Sequence, residues 1–395
     1  MTGAAAGVSG MRIAHLIETD GPGGAERVLA HLATELQERG AWNVAFLPAD
    51  GEGWLGRELE RSGVAIEHFR LERPFSPAFA GWLHAALRRH RVMVAHSHEF
   101  TMAVYGAWAA RRAGIPHVIT MHGNAYYAER LRRRLAMRAA VGLSGRTVAV
   151  SLPLARRLAR DLWIPRSRVA MIPNGVPRVP PGRTTLRGEL GLRPDDRLLV
   201  SVGNLYPVKG QRHLVDALAA LARLHPTVHV AIAGRGDLES ALSAQARDHG
   251  VGERLHLLGL RSDIAAILAA ADVFVLPSLS EGLPLALLEA MFAGCPIVAS
   301  DVGEVGVVLA GGEAGVLVPP GDPTALAAAI GGLLSDPSRA RELGARAALR
   351  AAAEYDVSQM VRRYLDTYHE LIRTPRDRAA AGGRLPMAPE RRRSP

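Results

Sequence analysis

Short apolar segments alternate with longer segments of helical periodicity from residue 11 to about residue 373. The short segments are rich in β-branched residues and end at Gly, Pro or polar residues, which predicts buried strands. The longer segments place apolar residues three and four positions apart, which predicts amphipathic helices. The predicted strands are residues 11–18, 44–47, 64–69, 92–97, 118–121, 147–150 and 169–172, followed by 198–202, 228–233, 255–258, 273–276, 297–299 and 316–318.

A segment with four prolines and two glycines, residues 173–183, divides this pattern into two halves and is typical of a linker. Strands that alternate with helices predict a parallel sheet covered by helices on both faces. We therefore expect an α/β protein with two Rossmann-like parallel-sheet domains that face a cleft, residues 11–178 and residues 184–355. A last helix, residues 356–373, follows the second domain.

Length and composition agree with two domains and limit the compartment. The 395 residues exceed the roughly 250–300 that one hydrophobic core supports. The single cysteine, Cys295, excludes an internal disulfide, and the sequence shows neither a signal peptide nor an apolar run of about 18 residues. We therefore expect a cytoplasmic protein, with disorder in residues 1–10 and in the basic tail 374–395.

The net charge of +10 favours an anionic partner: a nucleic acid, an acidic membrane face or a phosphorylated substrate. An arginine-rich composition alone produces the same balance. No nucleic-acid-reading module is recognisable, so we expect no nucleic-acid partner. One predicted helix carries five arginines beside a thin apolar stripe, and it is either a solvated basic face or a surface that docks on the anionic inner face of a membrane. These arginines are Arg130, Arg132, Arg133, Arg134 and Arg138.

Two loops that follow predicted strands offer groups for a phosphate. Gly23 and Gly24 lie between the first strand and its helix, where bare amides and a helix N-terminus favour an anion. A tight strand-to-helix turn would use the same glycines. Lys209 lies in a Gly/Pro loop at the end of the first strand of the second half, where it could neutralise a phosphate, although most loop lysines are only solvated.

The strongest chemical signal lies in residues 277–290. An apolar strand runs into a polar turn that contains Glu281 and then into a helix whose first turn is expected to hold Pro284. Glu289 is the one charge within residues 285–292, and a carboxylate in so apolar a helix needs a partner. The hydroxyls of a vicinal diol are suitable partners. A bridge from Glu289 to a neighbouring loop is the alternative.

Histidines cluster at the ends of two predicted strands. His96 and His98 lie two residues apart and share a face of their strand. No third ligand of suitable geometry is evident, so we expect no metal site and favour a structural role for both. His122 ends the next strand before Gly123, where the sites of α/β proteins gather. P-loop, G-x-S-x-G and H-E-x-x-H motifs are absent from the sequence.

Together and in this order, these motifs resemble glycosyltransferase family 4, the glycosyl transferases group 1, whose retaining enzymes have the GT-B fold. The most specific piece is the pair Glu281 and Glu289, followed by Ala-Gly-Cys-Pro-Ile-Val-Ala-Ser at residues 293–300. Supporting pieces are the glycine loop that ends in Ala-Glu-Arg, the Lys-Gly pair at residue 209, Ile-Pro-Asn-Gly-Val at residues 172–176 and Val-Pro-Pro-Gly-Asp at residues 318–322.

The resemblance implies metal-independent transfer of a sugar from a nucleotide-sugar, with a uridine nucleotide expected, to an acceptor hydroxyl in bacterial polysaccharide, glycolipid or related glycoconjugate synthesis. The second domain would bind the nucleotide, and the first would bind a sugar or a lipid-linked acceptor. Residues 356–373 would cross back to the first domain. No cofactor is implied, because the nucleotide-sugar is a co-substrate. Two alternatives stay open: a non-catalytic nucleotide-sugar-binding GT-B protein and a GT-B isomerase of UDP-sugars.

The resemblance also implies roles for single residues. His122 and Glu281 would be catalytic, with Glu281 on hydroxyls of the donor sugar and His122 beside its reacting centre. Glu289 would hold the ribose, and Lys209 would bind the diphosphate. The implied donor-binding set is Gly23, Gly24, Asn204, Lys209, Arg235, Gly282, Leu283, Pro284, Leu285 and Glu289.

The sequence departs from the family pattern at two places. Many members carry arginine where this chain has Asn204, and asparagine has no charge, so Arg235 is the expected substitute for part of the diphosphate's neutralisation. Residues 303–306, Gly-Glu-Val-Gly, also differ from the usual pattern, which leaves the identity of the donor sugar open.

Overall fold

The computed structural model describes residues 8–51, 53–73, 75–123, 126–180 and 184–373. Of the segments expected to be disordered, residues 1–7 and the tail 374–395 lie outside the described residues. Residues 8–10 are described, and Val8 is buried in the core of the first domain. The described residues form two parallel sheets, one of seven strands and one of six, with helices around both. This arrangement confirms the predicted GT-B fold of two Rossmann-like domains.

The predicted strands are all present, with small differences at their ends. In the first domain the elements are β1 (Arg12–Leu16), α1 (Gly24–Glu38), β2 (Trp42–Pro48), α2 (Trp54–Arg61), β3 (Ala65–Phe69), α3 (Pro77–Arg89), β4 (Val94–His98), α4 (Glu99–Ala113), β5 (His117–Met121), α5 (Leu131–Leu143), β6 (Arg146–Ala149), α6 (Leu152–Asp161) and β7 (Val169–Met171).

The second domain repeats the alternation and adds three helices at its end. Its elements are α7 (Leu186–Glu189), β8 (Arg197–Val202), α8 (Gln211–Leu224), β9 (Val228–Ala233), α9 (Glu239–Asp248), β10 (Leu255–Leu257), α10 (Ile264–Ala269), β11 (Val273–Leu276), α11 (Leu285–Phe292), β12 (Ile297–Ser300), α12 (Val305–Val308), β13 (Val316–Val318), α13 (Pro323–Ser335), α14 (Pro337–Glu354) and α15 (Val357–Ile372).

Short polar side chains explain where several helices begin. Ser76, Ser151, Asp322 and Asp336 precede α3, α6, α13 and α14, and each side chain accepts a hydrogen bond from the amide three residues further on. A proline occupies the first or second position of each of these helices, where its missing N–H has no cost. Each such cap contributes about 1 kcal/mol.

The strand order decides where a ligand can bind. The sheets have the orders β3-β2-β1-β4-β5-β6-β7 and β10-β9-β8-β11-β12-β13. In the first sheet the chain adds β2 and β3 on one side of β1 and then β4 to β7 on the other side. In the second sheet it adds β9 and β10 on one side of β8 and then β11 to β13 on the other side. Crevices outside the carboxyl ends of strands at such reversals are where open α/β sheets hold ligands.

The segment predicted to be a linker is bound to the start of the last helix. The Val176 amide donates to the Tyr355 carbonyl at 3.0 Å, and the Val357 amide donates to the Val176 carbonyl at 3.1 Å. A β-carbon on Gly175 would lie 2.8 Å from the Val357 Cα, so the two segments touch where a side chain would not fit. The connection between the domains is therefore held in place along its described part.

Helix α15 packs on the first domain. The Tyr368 hydroxyl lies 2.7 Å from His96 Nδ1 in β4, and the Tyr364 hydroxyl lies 3.0 Å from Thr120 Oγ1 in β5. Both tyrosines are buried. The last helix thus crosses back from the second domain and supports the sheet behind the cleft.

The basic helix α5 exposes less positive charge than its sequence suggests. Arg134 Nε donates to the Asp161 carbonyl at 3.2 Å, and Arg138 Nη1 donates to the Leu162 carbonyl at 2.7 Å. These are carbonyls at the end of α6, which attract cations. Arg133 is paired with Glu129. Within the described residues, no helix is long and apolar enough to span a membrane.

Candidate active site

A cavity of about 500 Å³ lies between the carboxyl ends of the two sheets, and we call it the interdomain cavity. Loops after β1, β4 and β5 form one wall, and loops after β8, β9 and β11 form the other. The cavity collects side chains that are far apart in sequence because parallel strands end at the same edge of a sheet. The sequence-predicted residues that line it are Gly23, Gly24, His122, Asn204, Lys209, Glu281, Gly282, Leu283, Pro284, Leu285 and Glu289.

Lys209 and Glu281 form an ion pair in this cavity. Lys209 Nζ lies 2.8 Å from Glu281 Oε1 and 3.0 Å from Oε2, and the Ser278 hydroxyl donates to Oε1 at 2.6 Å. The Glu281 side chain is 6% exposed and the Lys209 side chain 29%. A carboxylate this deeply buried needs such partners. A ligand phosphate would therefore compete with Glu281 for the lysine ammonium.

Gly210 explains how Lys209 reaches Glu281. Gly210 has a φ of 66°, and a β-carbon there would lie 2.1 Å from the Pro277 carbonyl oxygen. Only glycine fits this position. The close approach holds the loop after β8 against the start of the loop after β11, which brings together two charges 72 residues apart.

Composition carries a signal for Lys209 that the motif analysis missed. Among the 48 lysine and arginine residues of the chain, Lys209 is the one lysine. Every other basic position carries arginine, whose planar, forked group differs from the compact point charge of an ammonium. The chain uses lysine once and places it in the interdomain cavity, which favours a role for an ammonium at this position.

Helix α11 places Glu289 on the same wall of the cavity. Glu289 Oε1 lies 3.7 Å from Arg27 Nη1 of α1, so the carboxylate also faces the first domain. Burial raises the pKa of Glu289, and the charge of Arg27 lowers it in part. The helix begins at Leu285, and Pro284 is its N-cap with an extended backbone, ψ of 123°. The expectation that Pro284 lies in the first turn of the helix is therefore wrong.

Two helix N-termini meet the cavity from opposite sides. Helix α1 begins at Gly24 after the N-cap Gly23, and α11 begins directly after Pro284. A β-carbon on Gly23 would lie 2.3 Å from Glu26 Oε2, whereas one on Gly24 would meet nothing within 4 Å. The unpaired amides and the positive dipole ends of both helices favour an anion between them.

Arg235 lies outside this cavity, so the structure does not bring it to the other predicted donor-binding residues. Its side chain is exposed, and its carbonyl accepts a hydrogen bond from the Leu205 amide at 2.9 Å. Gly234, the residue before Arg235, lines the cavity instead. A β-carbon on Gly234 would lie 2.0 Å from the Gly203 carbonyl oxygen, so a side chain does not fit at this position. The arginines that line the cavity are Arg27 and Arg261.

His122 belongs to a network of buried polar groups behind the cavity. His122 Nε2 lies 2.9 Å from His98 Nδ1. His96 uses both ring nitrogens, Nδ1 with Tyr368 at 2.7 Å and Nε2 with Thr120 at 2.8 Å. The His96 and His98 rings are in contact, with centroids 4.3 Å apart, so the side chains that support His122 pack against those that hold the last helix.

The expectation that no third histidine lies near His96 and His98 is wrong. His15 stands beside His96 in the register of β1 and β4, and ring nitrogens of these three histidines lie within 4.8 Å of one another. Three imidazoles at this spacing could hold a metal ion. The sequence pattern did not reveal this grouping because it depends on which strands are neighbours.

Burial keeps the histidine at the cavity neutral. It lowers the pKa of His122 to about 4, so the ring carries no charge at neutral pH. The hydrogen bond with His98 restricts its tautomer and orientation. His122 can therefore orient or donate to a ligand, and a positive charge on it has no role at neutral pH.

Glu99, a carboxylate that lines the cavity, was missed by the sequence analysis. Glu99 follows His98 directly, and its Oε1 accepts a hydrogen bond from the His122 amide at 2.9 Å. Its φ of 64° is the left-handed conformation, which non-glycine residues adopt at a cost and often at functional sites. Burial raises the pKa of Glu99 to about 8, helped by the nearby charges of Glu18 and Glu26. The signal was available as a charged residue directly after a buried strand.

The chain matches known families over both domains. A family model described as Glycosyltransferase Family 4 matches residues 22–178, and one described as Glycosyl transferases group 1 matches residues 182–350. The break between the two matches falls in the proline-rich segment.

Similar proteins have been characterised. The phosphatidyl-myo-inositol mannosyltransferase of Mycobacterium leprae is 33% identical over 375 residues, 88% of this chain and 93% of that protein. The UDP-Gal:alpha-D-GlcNAc-diphosphoundecaprenol alpha-1,3-galactosyltransferase of Escherichia coli is 31% identical over 234 residues, 56% of this chain. The chain spans 60% of that galactosyltransferase and 62% of the D-inositol 3-phosphate glycosyltransferase of Nocardia farcinica.

The fold agrees with these matches. The structure of the Anabaena protein HepE in complex with UDP-glucose has a TM-score of 0.80 and 25% identity, and it covers 91% of this chain and 100% of that one. Because the two family models cover both domains and the mycobacterial relative aligns over nearly its whole length, the chain belongs to the family 4, or group 1, glycosyltransferases.

Proposed function

We propose that this protein is a retaining glycosyltransferase that moves a hexose from a UDP-sugar to an acceptor hydroxyl. The observation that carries the proposal is the Lys209–Glu281 pair, which shares one interdomain cavity with Glu289. A cation stabilises a bound diphosphate, and carboxylates accept strong hydrogen bonds from sugar and ribose hydroxyls. A uridine nucleotide is supported by HepE in complex with UDP-glucose and by the galactosyltransferase whose name gives UDP-Gal.

Donor binding would exchange the partners of the buried pair. Lys209 turns from Glu281 to the diphosphate, and Glu281 then accepts hydrogen bonds from hydroxyls of the donor sugar. Each charge keeps a partner, which avoids the cost of a buried unpaired ion. The N-termini of α1 and α11 add positive potential on both sides of the phosphates.

Transfer needs no protein base in this arrangement. The bond between the anomeric carbon and the diphosphate oxygen breaks, and the acceptor oxygen bonds to the same face of that carbon. The departing phosphate oxygen takes the acceptor's proton. Lys209 and the helix N-termini stabilise the charge that develops on the diphosphate. Neutral His122 orients the reacting sugar, and closure of the domains keeps water out.

Replacing Glu289 with glutamine should weaken binding of UDP more than it lowers turnover at saturating donor. A carboxylate accepts stronger hydrogen bonds from the ribose diol than an amide does. Calorimetric titration of UDP and of 2′-deoxy-UDP measures this effect. The variant should bind the two nucleotides with similar affinity, whereas the wild type should prefer UDP. Equal affinities in the wild type would contradict the assignment.

Transfer should continue in excess chelator. Lys209, Arg27 and the two helix N-termini supply the positive charge that a divalent cation supplies elsewhere. The rate is measured after extensive dialysis against EDTA, with and without added manganese. Inactivation by EDTA that manganese reverses would overturn metal independence. The group His15, His96 and His98 would then be the first candidate for the metal site.

A donor screen tests the proposed function. A ligand at 100 times its dissociation constant adds about 2.7 kcal/mol to the free energy of unfolding, so thermal stabilisation ranks UDP-sugars against GDP-sugars. The best donor is then incubated with and without candidate acceptors, and products are identified by mass spectrometry. Stabilisation without any transfer would favour a non-catalytic binding protein. Conversion of the donor without an acceptor would favour an isomerase.

We place the reaction in bacterial polysaccharide or glycolipid synthesis at the cytoplasmic face of the membrane. Arg130, directly before α5, and Arg132, in its first turn, are exposed and form neither an ion pair nor a side-chain hydrogen bond within the described residues, which supports a peripheral contact with anionic lipid. Sedimentation with anionic vesicles at low salt, compared with neutral vesicles, measures that contact. Equal sedimentation with both kinds of vesicle would contradict it.

A further inference from the structure

A second cavity of about 920 Å³ lies on the first domain between α3, α4 and the start of α5, and we call it the aromatic groove. Helices α3 and α4 each contribute residues at helical spacing, so the groove runs along two facing helix surfaces. The residues that line it are Phe75, Ser76, Pro77, Ala80, Gly81, His84, Phe100, Thr101, Val104, Tyr105, Trp108, Arg112, Tyr126, Arg132, Arg133 and Ala136.

Large aromatic side chains are exposed around the aromatic groove. Phe75 is 81% exposed, Trp108 is 42% exposed and Tyr126 is 39% exposed. Exposed apolar surface costs free energy in water, and a contiguous apolar patch is typical of a binding site. The groove therefore favours an occupant with a hydrocarbon part.

The charges at the groove all have one sign. Its described lining contains Arg112, Arg132 and Arg133 and no acidic residue. Arg133 is partly neutralised by Glu129 and lies 3.4 Å above the Tyr126 ring. Arg132 is exposed and forms no ion pair within the described residues. An occupant that combines a hydrocarbon chain with phosphate satisfies both the apolar walls and the arginines.

The aromatic groove lies next to the interdomain cavity. Glu99 lines the cavity, and the next two residues, Phe100 and Thr101, line the groove. The Thr101 side chain is hydrogen-bonded to Glu18, which lines the cavity as well. A ligand in the groove thus has one end within reach of the reacting centre.

We propose that the aromatic groove binds the hydrocarbon chain of a lipid-linked acceptor, with its phosphate on Arg132 and Arg133 and its sugar extending past Thr101. The inference rests on the proposed glycosyltransferase function and names its acceptor class. A folded protein partner would cover the rim of the groove and would not place a hydroxyl beside the interdomain cavity. A flexible amphiphile matches the apolar walls, the positive charge and the neighbouring cavity together.

Gly81 offers a clean test. It lines the groove on α3, it is exposed, and a β-carbon there would meet nothing within 4 Å. Gly81→Leu fills the groove with little strain and replaces a poor helix former with a good one. Gly332→Leu is the matched control, because Gly332 is an exposed helical glycine of the second domain with equally open space. Arg132→Gln removes one charge at the rim.

The probe is farnesyl phosphate, titrated by calorimetry below its micelle concentration, with farnesol and inorganic phosphate as its two halves. We expect the wild type and Gly332→Leu to bind farnesyl phosphate at least about tenfold more tightly than Gly81→Leu. The affinity of Arg132→Gln for farnesyl phosphate should be several-fold lower than that of the wild type. Farnesol and inorganic phosphate should each bind more weakly than the intact probe.

Three results would overturn the inference: equal affinity of Gly81→Leu and wild type, equal affinity for farnesol and farnesyl phosphate, or a dimer of the wild type that Gly81→Leu dissociates. Titration with UDP in the same preparations separates this inference from the proposed function. Failure to bind UDP would contradict the donor site, whereas the affinities for farnesyl phosphate report on the groove alone.

Discussion

Replacing Glu281 with alanine should lower turnover with a saturating UDP-sugar about 10²–10³-fold, the usual cost of losing one group that stabilises the reacting centre. In the free protein Glu281 is held by Lys209 and by the Ser278 hydroxyl. In the donor complex the same carboxylate would bind sugar hydroxyls. The variant loses these contacts and also leaves Lys209 without the partner that orients it before the donor arrives.

The fold should survive this change. Lys209 is 29% exposed, so water can solvate the ammonium that Glu281→Ala leaves behind. Circular dichroism and the urea midpoint check the fold, and turnover is measured by release of UDP. Glu253→Ala, at an exposed glutamate of the second domain, is the control and should keep the wild-type rate. Turnover within a few-fold of wild type for Glu281→Ala would contradict the role of Glu281.

The protein should lose stability steeply as the pH falls below 6.5, because several histidines are buried in their neutral form. Burial lowers the pKa of His15, His31 and His122 to about 4 and that of His117 to about 3. In the unfolded chain these rings take up protons near pH 6.5. Below that pH the unfolded state binds more protons than the folded state, so the free energy of unfolding falls.

Each of these histidines contributes a loss of about 1.4 kcal/mol per pH unit between its unfolded and folded pKa. Burial raises the pKa of Glu18, Glu99, Glu289 and Glu304, and these carboxyls stabilise the fold as the pH falls toward 4.5. They are fewer than the buried histidines, since burial also lowers the pKa of His96 and His98. Domains are stable by about 5–15 kcal/mol, so we expect unfolding before pH 4.

Urea unfolding between pH 7.5 and 4.5 measures this loss. His31 is the residue to change, because its side chain does not line the interdomain cavity. His31→Gln should reduce the pH slope of the free energy of unfolding by about 1.4 kcal/mol per unit below pH 6. His68→Gln, at an exposed histidine, is the control and should leave the slope unchanged. A free energy of unfolding that stays constant from pH 6.5 to 5 would contradict the account.

The sequence predicted the strands well because each is a short buried segment with a local pattern. β11 and the turn with Glu281 illustrate this: four apolar residues, a polar loop and an apolar helix are all visible within residues 273–292. The placement of Lys209 after β8 was equally local. Since strand ends converge in this fold, the motif residues met in one cavity as expected.

What the sequence did not reveal depends on contacts between distant elements. The Lys209–Glu281 pair requires Gly210 to pack against Pro277, and His15 joins His96 only because β1 and β4 are neighbours. The prediction that Arg235 binds the donor did not place it correctly, because its neighbour Gly234 lines the cavity and the Arg235 side chain lies outside it. The helical spacing of α5 likewise did not show that Arg134 and Arg138 bind the end of α6.

The central claim is that the interdomain cavity holds a nucleoside diphosphate against Lys209, and the chain's one lysine makes it directly measurable. The purified protein is treated with an amine-reactive acetylating reagent with and without UDP, and acetylation of Lys209 and of the N-terminal amine is followed by mass spectrometry. UDP at about ten times its dissociation constant leaves about one site in ten free, so acetylation of Lys209 should fall about tenfold while the N-terminal amine reacts unchanged. Equal acetylation of Lys209 with and without millimolar UDP, GDP or ADP would contradict the account.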